Sequence, residues 1–345
     1  MQTTYISTAS LWLAPRIELQ RQQAEFAARA QEVTTGRYAD VGLELGIETG
    51  RTVGARLEME MLESLMISNK TALARMDVTQ QALEDLEATN TQLLAALVAI
   101  PTGNTASTAM EIEAQAALER VGDLLNGSSD GSYLFAGTNT SERPIVRYAD
   151  GPQAVVEAAF LTRFGFAVGD AAAATITNAD MTDFLQNEFA DLFDDPGWGT
   201  DWSTASDTNI VSRAAPSERV TTSVNANEEA FRDTVRGMVM VGALGLSSLN
   251  DEARQAVIDE ARQVMGEAVS GVVAQSATLA FSQQAVSRAD QRLSLARDLL
   301  EQDIALFEGV DPVEAKVRLD LLSTQIEMSY ALTAQIARLN ILNYA

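Results

Sequence analysis

Residues 57–100 read LEMEMLESLMISNKTALARMDVTQQALEDLEATNTQLLAALVAI. Leu65, Ala72, Met76, Thr79, Leu83, Leu86, Asn90, Leu93, Leu97 and Ile100 follow the three-and-four spacing of a heptad seam. The spacing predicts one helix from Leu57 to Ile100, ended by Pro101 and Gly103 and roughly 65 Å long.

A second seam of the same kind lies far along the chain. Val257, Ala261, Val264, Ala268, Val272, Leu279, Val286, Ala289, Leu293, Ala296, Leu300 and Phe307 predict a helix from Asp251 to Phe307, roughly 85 Å long if Gly266 and Gly271 do not weaken it. Shorter helices are read at Ala9–Val33, Ala106–Asn126, Glu228–Leu249 and Val313–Asn343. Pro15 should start or kink the first of these, and Thr34-Thr35-Gly36 should stop it. Gly309 and Asp311-Pro312 separate the last two helices. Gly42, Gly46, Gly50 and Gly54 read as a loop or close-packed turn, because charged residues interleave with them. Leaving a dozen seam side chains in water would cost on the order of 20 kcal/mol. The N-terminal and C-terminal helices should therefore pack antiparallel in one bundle.

The middle of the chain has a different texture. Of the 20 aromatic residues, 12 lie between Tyr133 and Phe231. Short β-type runs are read at Pro144–Tyr148, Ala154–Phe160, Phe164–Val168, Ala174–Asn178 and Arg219–Val224, with one helix at Met181–Phe193. The expected fold is mainly α: a long antiparallel helical bundle built from the N- and C-terminal segments, carrying an inserted mixed α/β, β-rich outer domain. The expected divisions are 1–40 with 312–345, 41–135 with 238–311, and 136–237.

Composition narrows the function. The chain has neither histidine nor cysteine. It therefore lacks the usual neutral-pH general base, thiol nucleophile and soft metal ligands. A formal charge of −24 repels phosphate backbones and anionic lipid, so neither nucleic acid nor membrane is an expected partner. No basic n-region with an apolar run of about 7–15 residues opens the chain, so no cleaved signal is expected. The apolar stretch Gly237–Asn250 is shorter than the ~18–20 residues that a membrane helix needs. The acidic group Asp191, Asp194, Asp195 and Asp201 lacks the oxygen spacing of a calcium loop. No catalytic, cofactor or metal site is expected.

The last helix is apolar on more than one face. Leu321, Met328, Leu332, Leu339 and Leu342 form one stripe; Leu322, Ile326, Ile336 and Ile341 form another. A helix apolar on several sides is usually buried on several sides. An assembly interface is expected at Ile6, Leu13, Ile17, Leu321, Leu322, Ile326, Met328, Leu332, Ile336, Leu339 and Leu342.

Three segments carry a family resemblance. Gln31-Glu-Val-Thr-Thr-Gly-Arg37, with Thr35, Gly36 and Arg37, resembles the end of the first helix in flagellins and flagellar hook–filament junction proteins. Leu125–Thr138, with Tyr133, Leu134, Phe135, Ala136, Gly137 and Thr138, is similar to the junction proteins of the FlgL type. Val310–Leu319, with Asp311, resembles the start of the family's last helix. The resemblance implies a structural subunit of the bacterial flagellum, not an enzyme, with terminal helices lining an inner tube. It also implies type III export, an extracellular location, and as partners other copies of itself, the second hook-associated junction protein, flagellin and an export chaperone. Two alternatives stay open: flagellin itself, and a carboxylate-dependent glycan hydrolase seated in the inserted domain.

Overall fold

The computed structural model describes residues 8–99 and 104–342. The chain divides into two compact units, Met1–Ser64 with Leu293–Ala345, and Leu65–Arg292. In chain order the helices are α1 (Thr8–Thr35), α2 (Val41–Leu45), α3 (Thr49–Ala99), α4 (Asn104–Leu125), α5 (Pro152–Phe164), α6 (Asn178–Gln186), α7 (Glu229–Ala243), α8 (Asp251–Glu308) and α9 (Pro312–Leu342). Besides short 3-10 and π turns, the described residues include two hairpins: β1 (Ser128–Ser129) with β2 (Ser132–Tyr133), and β3 (Val211–Ala215) with β4 (Glu218–Thr221).

In the Leu65–Arg292 unit, four helices run alternately up and down. Gln283 on α8 donates to Asp77 on α3, Gln80 on α3 to Ser276, and Arg262 to the Leu97 carbonyl. The α8 number falls as the α3 number rises, so these helices are antiparallel. Likewise Glu111 on α4 meets Ser247 just past the end of α7, and Gln115 donates to the Gly242 carbonyl. The seam residues Met76, Leu83, Leu86, Leu93 and Leu97 are buried, as are Val257, Ala261, Val264, Ala268, Val272 and Leu279. Both long seams thus supply the core that their spacing predicts. Two polar seam residues are accommodated: Asn90 donates to Thr234 at 2.7 Å, and the Thr79 hydroxyl donates to the Arg75 carbonyl.

Gly271 does not weaken α8. A Cβ there would lie 2.7 Å from Ala230 Cβ, so the glycine lets α7 and α8 approach closely. Asn250 caps α8 by accepting the Ala253 N–H at 2.8 Å, and Asp251 and Glu252 occupy its positive first turn. By composition α8 is also long and apolar enough to cross a bilayer, a property that inspection of Gly237–Asn250 overlooks, but its seam is buried in protein.

The insert is less strand-rich in detail than its apolar runs suggest. Ala154–Phe160 lies inside α5, started by Pro152 and closed by Gly165 in the left-handed conformation. Phe164–Val168 and Ala174–Asn178 form no strand, Pro144–Tyr148 contributes a single bridge from Ile145 to Ser203, and Arg219–Thr221 lies in β4. Gly50 and Gly54 fall within α3 instead of a loop. Phe160, Phe184, Phe189, Phe193, Trp198 and Trp202 are fully buried, in the same apolar core as the α3, α4, α7 and α8 seams. The aromatic cluster is therefore an extension of the bundle core.

Asp233 on α7 sits among charges at the edge of that core. Burial pushes its carboxyl up to about 6; Arg236 opposes this, and Glu229, Glu267 and Asp194 add to it. Arg236 also faces Glu260 at 3.5 Å. A carboxyl that keeps its proton to higher pH in the folded state adds stability as pH falls from about 6 towards 4, and its ionisation costs stability above that range. D233N should therefore raise the unfolding free energy at pH 8 by about 1–3 kcal/mol and by little at pH 4. Urea titrations of both chains at the two pH values check this.

Candidate assembly surface

The Met1–Ser64 with Leu293–Ala345 unit is organised around a clasp. The last turn of α1 ends at Thr35, whose hydroxyl donates to the Gln31 carbonyl, and Gly36 follows in the left-handed conformation at φ 69°. Arg37 and Gly309 then pair as a short antiparallel bridge. The Tyr38 N–H donates to the Glu308 carbonyl and the Val310 N–H to the Gly36 carbonyl, both at 3.0 Å. Asp311 caps α9, accepting the Val313 N–H at 2.8 Å. The expected landmarks Thr35, Gly36, Arg37 and Asp311, from opposite ends of the chain, meet at this one place.

Beneath the bridge lies Glu308, 1% exposed. The Arg56 guanidinium donates to it through Nε at 3.1 Å and through a second nitrogen, and Arg37 stands 3.9 Å away. The hydrogen bond from Arg56 is the main cause holding this carboxyl below the usual carboxylate range. Burial opposes it; the charges of Arg56 and Arg37 and the Thr52 hydroxyl assist. A second buried carboxylate, Glu32, pairs with Arg29 at 2.8 Å and accepts the Ala39 N–H. The C-terminal ends of α1 and α8 are thus tied by charge-assisted bonds, roughly twice as strong as neutral ones.

From the clasp α1 and α9 run antiparallel. Ser329 donates to Gln22 at 3.0 Å and Gln23 to the Tyr330 hydroxyl at 2.7 Å. On α9, Ala315, Leu319, Leu322, Ser323, Ile326, Ser329 and Thr333 form the stripe with reduced exposure. At roughly 100° per residue these seven span about 120° of the helix. Val313, Val317, Leu321, Met328 and Leu332 fall on the opposite side, each more than half exposed. On α1, Leu13 and Ile17 are also more than half exposed. Of the expected interface residues, Leu322 and Ile326 therefore lie on the stripe shared with Ser329, whereas Leu13, Ile17, Leu321, Met328 and Leu332 face outward. Ile6 lies outside the described residues, as do the side chains of Ile336, Leu339 and Leu342.

Sequence reasoning missed further outward apolar residues in this unit. Leu43, Ile47, Val53, Leu57 and Met61 are exposed, as are Leu295, Leu299 and Leu306. Their i, i+4 spacing off the seam was the available signal. Beside the clasp a cavity of about 320 Å³ is lined by Arg37, Arg56 and Arg297, matched by Glu63 and Glu301. Among the described residues, no group of three or more His, Cys, Asp or Glu is placed to hold a metal ion.

The motif at Tyr133–Thr138 belongs to the other unit and is built into its core. Leu134, Phe135 and Ala136 are buried, and Phe135 meets Phe231 edge-on at 5.6 Å. Arg75 donates to the Tyr133 carbonyl at 2.6 Å, Ala226 N–H to the Phe135 carbonyl, Ser206 N–H to the Ala136 carbonyl and Thr138 N–H to the Thr208 carbonyl. Gly137, at φ 61°, has the Ser206 carbonyl oxygen where a Cβ would stand, 2.3 Å away.

Comparison with known families falls on these same segments. Residues 6–140 match the model of the bacterial flagellin N-terminal helical region, and residues 263–345 the model of the flagellin C-terminal helical region. The chain belongs to the flagellin family. Members of this family are structural, and the chain is a flagellar structural subunit. Among solved structures it is similar to Bacillus cereus FlgL at 10% identity, with a TM-score of 0.44, covering 73% of this chain and 98% of that one. It is also similar to a provisionally named flagellar hook-associated protein from Vibrio parahaemolyticus at 11% identity, with a TM-score of 0.40, covering 84% and 95%. A search of curated proteins returns no match.

Both flagellin regions include one arm of the clasp. Replacing its buried carboxylate, Glu308→Gln, should weaken the clasp by about 2 kcal/mol. That corresponds to about thirtyfold faster hydrogen exchange at the Tyr38 and Val310 amides. Unchanged protection there would show that Glu308 does not hold the two links together. The contribution is also lost on acidification, as pH falls through the lowered value of this carboxyl.

Proposed function

We propose that this flagellin-family subunit forms part of the junction between hook and filament, and that it works by assembly through α1 and α9, without catalysis. The observation that carries this reading is the outward stripe of α9. Val313, Val317, Leu321, Met328 and Leu332 are exposed along one side of a helix whose opposite side already faces α1. Burying the exposed halves of these five side chains is worth on the order of 5 kcal/mol per subunit. An exposed apolar stripe of this kind marks an interaction surface.

The proposed partners are other copies of the chain in a ring, the neighbouring hook-associated protein on one side and flagellin on the other. An export chaperone would cover the terminal helices before secretion by the type III apparatus to the cell exterior. In this reading residues 1–40 with 312–345 form the inner assembly layer, 41–135 with 238–311 a second layer, and 136–237 the outward layer. The likeness of the Tyr133–Thr138 motif to junction proteins supports the junction over the filament.

Cells lacking this protein should keep their hooks and shed flagellin into the medium. Leu332→Asp should give the same phenotype while shifting the melting temperature of the purified chain by less than about 2 °C, because Leu332 is 59% exposed. Filaments that persist on hooks of the null cells would sink the junction role. A large loss of monomer stability in L332D would show that the stripe serves the subunit's own fold. Restoration of full-length filaments by this chain in cells lacking flagellin would assign it to the filament instead.

A further inference from the structure

One joint between the insert and the bundle is made by a chemically labile residue. Asn126 lies one residue beyond α4 and is the one asparagine of the chain followed by glycine. Its side chain meets the Ile145 backbone at two points. Nδ2 donates to the Ile145 carbonyl and Oδ1 accepts the Ile145 N–H, both at 3.0 Å. The amide thus takes the place of a pairing strand. On the opposite edge the same segment pairs with backbone: the Val146 N–H donates to the Trp202 carbonyl at 2.8 Å and the Thr204 N–H to the Pro144 carbonyl at 3.0 Å. Gly127 is held as well. Its N–H donates to the Leu124 carbonyl at 3.0 Å, and its own carbonyl accepts the Leu134 N–H at 2.9 Å. A Cβ at Gly127 would lie 2.9 Å from the Leu124 carbonyl oxygen, so a larger residue does not fit.

We infer that Asn126 is a site of spontaneous deamidation that the folded chain closes and the unfolded chain leaves open, and that the acid so formed weakens this joint on refolding. Asparagine followed by glycine is reactive because no Cβ on the glycine obstructs its nitrogen. A bond forms between Gly127 N and Asn126 Cγ, and the Cγ–Nδ2 bond breaks. Ammonia leaves with the proton from the glycine nitrogen. Water then opens the five-membered imide at either carbonyl, leaving aspartate or isoaspartate at position 126. In the folded chain three contacts oppose the attack. Ile145 holds both polar atoms of the amide, so Cγ cannot turn, and Leu124 holds the Gly127 N–H. Reaction there waits on a local opening that breaks all three. The unfolded chain has none of them. The product cannot rebuild the joint. Aspartate accepts the Ile145 N–H but has no hydrogen for the Ile145 carbonyl, and isoaspartate lengthens the backbone at the same place. Ile145 is buried, so the loss leaves its carbonyl without a donor. Both residues of the labile pair are therefore required by the fold, and the modification records time spent unfolded.

The test uses the full chain. It is incubated at pH 8 in native buffer and in guanidinium chloride above its unfolding midpoint, then digested with trypsin. Cleavage after Arg120 and Arg147 gives a peptide, 121–147, that carries Asn126 and also Asn139, which precedes Thr140 and serves as the internal reference. Mass spectrometry of its fragments measures the acid at each position. Deamidation of Asn126 should be about a hundredfold slower in the folded chain than in the unfolded one, while Asn139 stays slow in both. Equal rates at Asn126 in the two states overturn the protection. For the second half, a chain partly deamidated in denaturant is refolded and given a short pulse of thermolysin. The intact survivors should be depleted about tenfold in acid at position 126, whether the acid blocks folding or only loosens the joint. An acid fraction unchanged by the pulse shows that the amide is not needed there and overturns the weakened joint.

Discussion

The fold depends on one constraint: apolar seams far apart in the chain have no other element long enough to cover them. α3 and α8 are separated by about 150 residues, yet their seams interlock, with Leu97 meeting Arg262 and Asp77 meeting Gln283. Closing so long a loop adds little beyond closing a short one, because the entropic cost grows only logarithmically with length. What long closure does cost is time, since non-local contacts form slowly. The insert softens this by joining the same core. Phe135 and Phe231 couple the ends of α4 and α7 to the aromatic cluster, so the four helices and the insert are stabilised together.

Polar groups within that core fix details that apolar packing leaves open. Asn90 and Thr234, both fully buried, bond each other across α3 and α7. A one-turn slip would leave the Asn90 amide without this partner, at a cost of about 1–3 kcal/mol, while the Thr234 hydroxyl keeps its bond to the Ala230 carbonyl. In the other unit the same role falls to carboxylates. Glu308 and Glu32 are buried only because Arg56, Arg37, Arg29 and backbone N–H groups meet them. The apolar outer face of α9 sits on a pair of helices whose register is set by polar contacts: Gln22 with Ser329 and Gln23 with Tyr330.

Much of this was legible in the residues. The heptad spacing located α3 and α8, because burial along a helix repeats with the helix itself. The two stripes of α9 were separable by spacing alone, although spacing could not say which one faced α1. Ala154–Phe160 was misread because a short apolar run has no decisive period, and the informative residues were the flanking Pro152 and Gly165. The extent of the aromatic core was hidden for another reason: nothing local in Phe160 or Trp202 says that they share a core with Leu93. The clasp was half visible. Thr35-Gly36-Arg37 and Asp311 each marked a helix end, but their meeting is a contact across most of the chain, and Glu308 beneath them had no signature beyond an acid near a glycine.

The clasp has a mechanical consequence. α1 and α9 leave it side by side, joined there by two backbone hydrogen bonds and a buried ion cluster. α9 has 31 residues, so it is a lever about 45 Å long. A tilt of about 5° at the clasp would swing its far end by about 4 Å, close to the width of a side chain. A small rearrangement around one carboxylate would thus be magnified about 45 Å away into a displacement the size of a side chain.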